Sequence, residues 1–256
     1  VGAGAGSYVR IDPYSDAIKL GPDSAGYLVG TCWEEGGVDT VSVTDCHLML
    51  GYLNPDNFLG GALELNVDRA RQCIKEQIAD KIGMTVEDAS AGVIELLDAS
   101  LKQHLGDMIS SKGYTPTDFV CFSYGGAGPV HAYGYTQGLG FQETIVPAWA
   151  AGFSAFGCAA AEFEYRYDMS VDIAMPPDSE DAAKDEACKT LQAAWDELEI
   201  KVLEEFKING YTADQVTLDP GFSMQYMGQL NDLEIVAPVK NISGAKDWPA
   251  LTDAFE

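Results

Sequence analysis

The sequence predicts an α/β fold, and three observations carry that prediction. A short apolar run over residues 118–124 ends in Gly125-Gly126-Ala127-Gly128-Pro129, and a helix-compatible segment over 130–138 leads to a second β-type run, Thr144-Ile145-Val146, before Pro147. Strand, glycine turn, helix and strand in that order form the α/β crossover pattern. Two apolar stripes at helical spacing precede it, and a long charged helix followed by alternating segments comes after it.

Residues 1–61 are rich in glycine and turn signals. Residues 8–11 suit a short strand, and Gly21-Pro22-Asp23-Ser24 reads as a turn. Val67, Ala70, Ile74, Ile78 and Ile82 mark one helix. Thr85 is placed to cap a second helix, with acidic Asp88 three residues on, and Ala89, Val93, Leu96, Leu97, Leu101, Leu105 and Met108 sustain its stripe until Gly113. The run at 118–124 suits a buried strand.

The composition shifts near Met175-Pro176-Pro177-Asp178, which predicts two domains, 1–175 and 176–256. In the second, a helix over 180–208 has Leu191, Ala194, Trp195, Leu198, Val202 and Phe206 on its inner face. Residues 222–226 and 233–236 alternate as strands do, with Gly228-Gln229-Leu230-Asn231 as the turn between them.

Charge narrows the function classes. Forty acidic against 15 basic residues give a formal net charge of −25. Such a surface repels nucleic acid and anionic membranes, which are bound through Lys/Arg patches, but leaves room for a nucleotide held by backbone N–H groups and a metal ion. The six cysteines show no C-x-x-C spacing and several sit in apolar contexts, so they are expected to be reduced, buried thiols of a cytoplasmic protein. The chain opens at Val1 in a glycine-rich loop rather than at Met, and is expected to be a piece of a longer polypeptide.

Three segments are candidates for chemistry. Around Gly125, Gly126, Ala127 and Gly128, the missing side chains let a flat or charged ligand approach the backbone, and the helix start behind them favours an anion. The same pattern also serves a merely tight strand–helix turn. Asp45 follows a short β-branched run, where a carboxylate is placed to hold a hydrated metal ion or orient a nucleophile, or simply to cap a helix beginning at Cys46. Gly2-Ala3-Gly4-Ala5-Gly6-Ser7 matches only part of a dinucleotide fingerprint, with no strand before it. His47 and His131 adjoin these segments, and no zinc-ligand spacing is present.

Taken together, these segments resemble the hydantoinase A/oxoprolinase family. The resemblance is carried by Gly2-Ala3-Gly4-Ala5-Gly6-Ser7, Leu20-Gly21-Pro22-Asp23-Ser24-Ala25-Gly26, Val43-Thr44-Asp45, Leu50-Gly51-Tyr52-Leu53-Asn54-Pro55 and Phe58-Leu59-Gly60-Gly61. It continues through Tyr124-Gly125-Gly126-Ala127-Gly128-Pro129-Val130-His131-Ala132 and Ser154-Ala155-Phe156-Gly157. Val29-Gly30-Thr31-Cys32-Trp33 departs from the run usual in hydantoinase-type members, while Val43-Thr44-Asp45-Cys46-His47 and Pro147-Ala148-Trp149-Ala150-Ala151-Gly152-Phe153 look like the branch of ATP-dependent ketone (acetone) carboxylases.

The resemblance implies an RNase H-like lobe of an actin/Hsp70/sugar-kinase-type ATPase, followed by a smaller α+β C-terminal region. It implies ATP and Mg²⁺ as cofactors, with adenosine against Gly125, Gly126, Ala127 and Gly128, and a transition metal, Mn²⁺, on a partner subunit. The Asp-Gly-Gly-Thr phosphate hairpins of that class are absent here, so only part of an ATP site is expected. Implied partners are hydantoinase B-like and small subunits of a hetero-oligomeric carboxylase that phosphorylates a small ketone, as its enol, and bicarbonate. Asp45 would orient a metal-bound water or substrate. His131 would bond a phosphate or carbonyl oxygen, or be a buried helix-start histidine. The alternatives are ATP-dependent opening of a cyclic amide, as in hydantoinases and 5-oxoprolinases, and a scaffold domain without catalysis.

Overall fold

The structure is a computed structural model and describes residues 4–176 and 178–255. Val1, Gly2 and Ala3 of the opening loop, Pro177 of the composition shift, and Glu256 lie outside the described residues. The chain forms two compact units, Val1–Ala160 and Ala161–Glu256, so the composition change at 175–178 falls inside the second.

The first unit begins with an antiparallel hairpin of β1 (Ser7–Ile11) and β2 (Ile18–Ser24), in which Val9 faces Leu20 and Ile11 faces Ile18. Asp12 organises the connection by accepting the Tyr14 and Ser15 N–H groups. Gly21-Pro22-Asp23-Ser24 lies within β2 and is not the predicted turn, because the pairing of Ser7 with Ser24 extends the strand to its end. The β-branched run before Asp45 forms no strand either; it makes a single bridge, Tyr8 to Ser42, and helix α1 (Val43–Met49) starts at once.

Helix α2 (Val67–Ile74) passes through a π turn (Lys75–Ala79) into α3 (Asp80–Ile82). Apolar residues spaced by four drift about 40° per step around an α-helix, and the wider π turn rewinds that drift. It keeps Ile74 and Ile78 together in one core, and Ala70 before them is buried as well. The predicted cap of α4 (Val86–Ser110) is present: Thr85 Oγ1 accepts the Asp88 N–H at 3.0 Å.

Ala89, Val93 and Leu97 of α4 join Val9, Val41, Val43, Cys46, Ile74 and Ile78 in the main core. Burial of the stripe ends at Leu97: Leu101 and Leu105 are half-buried and Met108 is exposed, as is Leu96 within the buried stretch. A second cluster gathers Val29, Cys32, Leu48, Leu65 and Ala70 on the other side of α1.

The crossover has the predicted order. Strand β3 (Val120–Phe122) leads through the glycine turn into α5 (Gly128–Thr136), and β4 (Glu143–Ile145) returns parallel to β3. β3 is not the buried strand expected, because it pairs only with β4 among the described residues and leaves Val120 and Phe122 exposed. Helix α6 (Phe153–Ala160) closes the unit, with Phe153 packed among the rings of Phe122, Tyr124, Trp149 and Phe156.

In the second unit, α7 (Asp181–Ile208) runs beside an antiparallel hairpin of β5 (Gly221–Met224) and β6 (Leu233–Val236), and α8 (Trp248–Asp253) ends the chain. Its core is Cys188, Ile242 and Leu251, flanked by Leu191, Trp195 and Phe222. The inner face of α7 therefore starts earlier than predicted, at Ala187 and Cys188. At its far end Phe206 meets the edges of Tyr165 and Tyr211 instead. Together the two units form a mixed α/β chain with three two-stranded sheets among the described residues.

Candidate functional site

The glycine turn stands between β3 and α5. Gly125 has φ 90°, a backbone state that side chains resist, and its N–H donates to the Ala150 carbonyl at 2.9 Å. A Cβ atom added at Gly125 or Gly126 would meet nothing within 4 Å, so the space beside the turn is open. Ala127 caps α5 without a side-chain hydrogen bond, and Pro129 sits in the first turn where its missing N–H costs nothing. Below the turn, Ser123 is buried and its Oγ accepts the Tyr135 hydroxyl at 2.5 Å.

His131 lies in the first full turn of α5 and points inward, 3% exposed. Its Nδ1 donates to Asp98 Oδ1 of α4 at 2.7 Å, and its Nε2 lies 2.9 Å from Nε2 of His47 on α1. Three helices thus meet through a carboxylate–imidazole–imidazole chain. Burial, and then the neighbouring His131 ring, hold the His47 imidazole down to about 4, while Asp98 acts in the opposite direction. Gly134 makes room for this chain, since a Cβ there would run into the Asp98 carboxylate.

Both polar atoms of His131 are engaged within the protein. Of the two readings of His131, this geometry agrees with the buried helix-start histidine. Sequence reasoning missed Asp98 as its partner. The signal was a carboxylate four residues after Ile94, on the face that the stripe buries.

Asp45 too is engaged within its own chain. It is 0% exposed, and its carboxylate accepts the N–H groups of Thr31 at 3.1 Å, Cys32 at 2.7 Å and Ser42 at 2.7 Å, and the Ser42 hydroxyl at 3.1 Å. Four donors of its own chain engage it, three on Oδ2 and one on Oδ1, and burial keeps the carboxylate from solvent. Ser42, not Asp45, is the N-cap, and Asp45 is the third helical residue reaching back in a capping box. Burial, and then this carboxylate, push the Cys32 thiol up and the Cys46 thiol to about 12, so both remain protonated. Gly30 admits the arrangement, because a Cβ there would strike Ser42 Oγ and stand 2.8 Å from Asp45 Oδ2.

Asp45 and His47 share α1 but serve different neighbours, the 29–32 loop and α5. Among the described residues, no group of three His, Cys, Asp or Glu side chains is placed to hold a metal ion. No helix among them is long and apolar enough to cross a membrane. All six cysteines are free; Cys32, Cys46 and Cys188 are buried as expected, whereas Cys158 is exposed.

Fold and site together define an α/β crossover lobe with an open glycine turn at a helix start, joined to a smaller α+β unit. The chain belongs to the hydantoinase/oxoprolinase family: the Hydantoinase/oxoprolinase model matches residues 1–167, and the Hydantoinase/oxoprolinase C-terminal domain model matches 178–256. It is 68% identical over 255 residues to the acetone carboxylase beta subunit of Xanthobacter autotrophicus, covering 100% of this chain and 36% of that protein. The solved nucleotide-free acetone carboxylase, from a study of ATP-dependent acetone carboxylation, matches with a TM-score of 0.66 at 68% identity over 100% of this chain and 36% of that one. The ATP-dependent caprolactamase of Pseudomonas jessenii matches with a TM-score of 0.71 at 26% identity over the same shares, 100% and 36%. The chain thus spans about a third of the length of these relatives.

Proposed function

We propose that the chain is part of a subunit of an ATP-dependent ketone carboxylase, with acetone or a similar small ketone and bicarbonate as carbon substrates. The observation that carries this reading is the 68% identity with the acetone carboxylase beta subunit, which extends through both units. In this reading Gly125, Gly126, Ala127 and Gly128 form the adenosine side of the ATP site, supported by the open space at Gly125 and Gly126. ATP, with Mg²⁺ on its phosphates, supplies the phosphoryl group that activates the ketone enol and bicarbonate. The part played by this chain is to present a fixed backbone surface to the nucleoside.

The phosphate-binding residues come from outside these 256 residues. Hydantoinase B-like and small subunits complete a hetero-oligomer, with Mn²⁺ on a partner, and the complex is cytoplasmic. The word "subunit" in the name of the acetone carboxylase relative supports the oligomer, and the free cysteines support the compartment.

The purified full-length complex tests the reading. It is expected to hydrolyse ATP when given acetone and bicarbonate and to incorporate labelled bicarbonate into product. The fold shared with the caprolactamase supports one rival, ATP-dependent opening of a cyclic amide. Turnover of hydantoin, 5-oxoproline or caprolactam with no response to ketone would establish that rival in its place.

A further inference from the structure

We propose that Asp98 and His47 are positioning residues for nucleotide binding, which act through His131 to fix the start of α5 and so the opening of the glycine turn. The proposal rests on the adenosine reading of residues 125–128.

The turn is held on its strand side by main-chain bonds, Ser123 N–H to the Ile145 carbonyl and Gly125 N–H to the Ala150 carbonyl. On its helix side, nothing before His131 anchors α5 in the core. Gly125, Gly126 and Gly128 carry no side chain, Ala127 makes no capping hydrogen bond, and Val130 is exposed. His131 is the first fully buried residue of α5.

His131 is gripped from both ends, by Asp98 at 2.7 Å and His47 at 2.9 Å, on helices that begin far from α5 in sequence. Directional, charge-assisted bonds fix the rotation of a helix about its axis more closely than apolar packing does. Gly134, one turn further along α5, lets α4 approach closely enough for Asp98 to reach the imidazole. The Tyr135–Ser123 hydrogen bond ties the same helix back to the end of β3. If α5 rotates or slides, the backbone at Gly126 moves with it, and the open surface no longer matches a nucleoside.

The test uses the full-length subunit in its complex, with ATP affinity read by calorimetry and the KM for ATP read separately from kcat. The variants are Asp98→Ala, His47→Leu, His47→Gln and Gly134→Ala, the last displacing the Asp98 carboxylate while leaving all three partners in place. Asp98→Ala, His47→Leu and Gly134→Ala are expected to weaken ATP binding about tenfold, with kcat at saturating ATP little changed. His47→Gln keeps an amide able to bond to His131 Nε2 and is expected to stay within about threefold of the native affinity. A purely structural role would lower the folded fraction, and with it the apparent kcat, and leave ATP affinity in the folded molecules unchanged. Native ATP affinity in folded Gly134→Ala and His47→Leu, beside a Gly126→Val control that has lost ATP binding, overturns the positioning proposal alone. Native affinity in the Gly126→Val control overturns the adenosine reading itself, and the positioning proposal with it.

Discussion

The Nε2 atoms of His47 and His131 stand 2.9 Å apart across 84 residues of sequence, and this buried contact ties stability to pH. The folded His47 imidazole is held to about 4, against 6.5 for an ordinary histidine. As pH falls, the unfolded chain therefore takes up this proton first. The stability associated with a neutral His47 is fully present above about 6.5 and is lost as pH drops towards 4. Between pH 7 and pH 5 the native protein is expected to lose about 2 kcal/mol more than His47→Gln does, measured by denaturant unfolding. Equal losses in both would remove His47 as the titrating group.

Asp45→Asn is expected to act on stability rather than on chemistry. Each carboxylate oxygen faces chain donors, so an amide NH₂ at either position opposes an N–H group. The cost is about 2–4 kcal/mol, in the range for breaking a buried, charged hydrogen-bond set. Melting should fall clearly while turnover per folded molecule stays near native. A silent melt with lost turnover would return Asp45 to the catalytic role.

Gly126→Val separates binding from folding in the opposite sense. No atom lies within 4 Å of the added Cβ, and the backbone at Gly126, unlike Gly125, is not in a state reserved for glycine. Melting is expected to move by only a few degrees, on the order of 0.5 kcal/mol. ATP affinity is expected to fall by about tenfold or more. Calorimetry on the full-length subunit reads this directly.

Gly30→Ala tests the capping box from the loop side. The new methyl would collide with Ser42 Oγ and crowd both Asp45 oxygens, and neither side chain can withdraw without breaking its bonds. A loss of about 2–4 kcal/mol is expected, seen as a lowered denaturation midpoint with an unchanged slope.

Thr31→Val should stabilise the protein. Thr31 is fully buried, and its Oγ1 has no hydrogen-bond partner among the described residues. Valine keeps the shape and removes an unmatched hydroxyl, for a gain of about 1 kcal/mol read as a higher melting temperature.

Local patterns carried much of the fold into the sequence. Ile74 and Ile78, and then Ala89, Val93 and Leu97, recur at helical spacing because both stripes meet the main core. The Gly125 turn was visible because a φ of 90° selects glycine, which leaves a mark in composition. Contacts between distant segments leave no such mark. Asp45 looked available because its acid sits near a helix start, whereas two of its four donors come from Thr31 and Cys32 in the preceding loop. Gly21-Pro22 read as a turn by residue type, but cross-strand pairing with β1 overrides that preference. Periodicity places Asp98 beside the buried face of α4, but its link to His131 depends on how closely α4 and α5 approach.

The capping box also bears on how the first unit assembles. Asp45 closes loops of only 13 and 14 residues through Cys32 and Thr31, whereas the two histidines must close 84. Closure entropy grows with the logarithm of loop length, so the longer closure costs about 1.6 kcal/mol more before any contact repays it. The 29–45 segment is therefore expected to organise before the transition state for folding and the histidine contact after it. Substitutions at Gly30 then slow folding, while those at Asp98 hasten unfolding. Of these two closures, the shorter sets how soon the native state is reached, and the longer sets how long it persists.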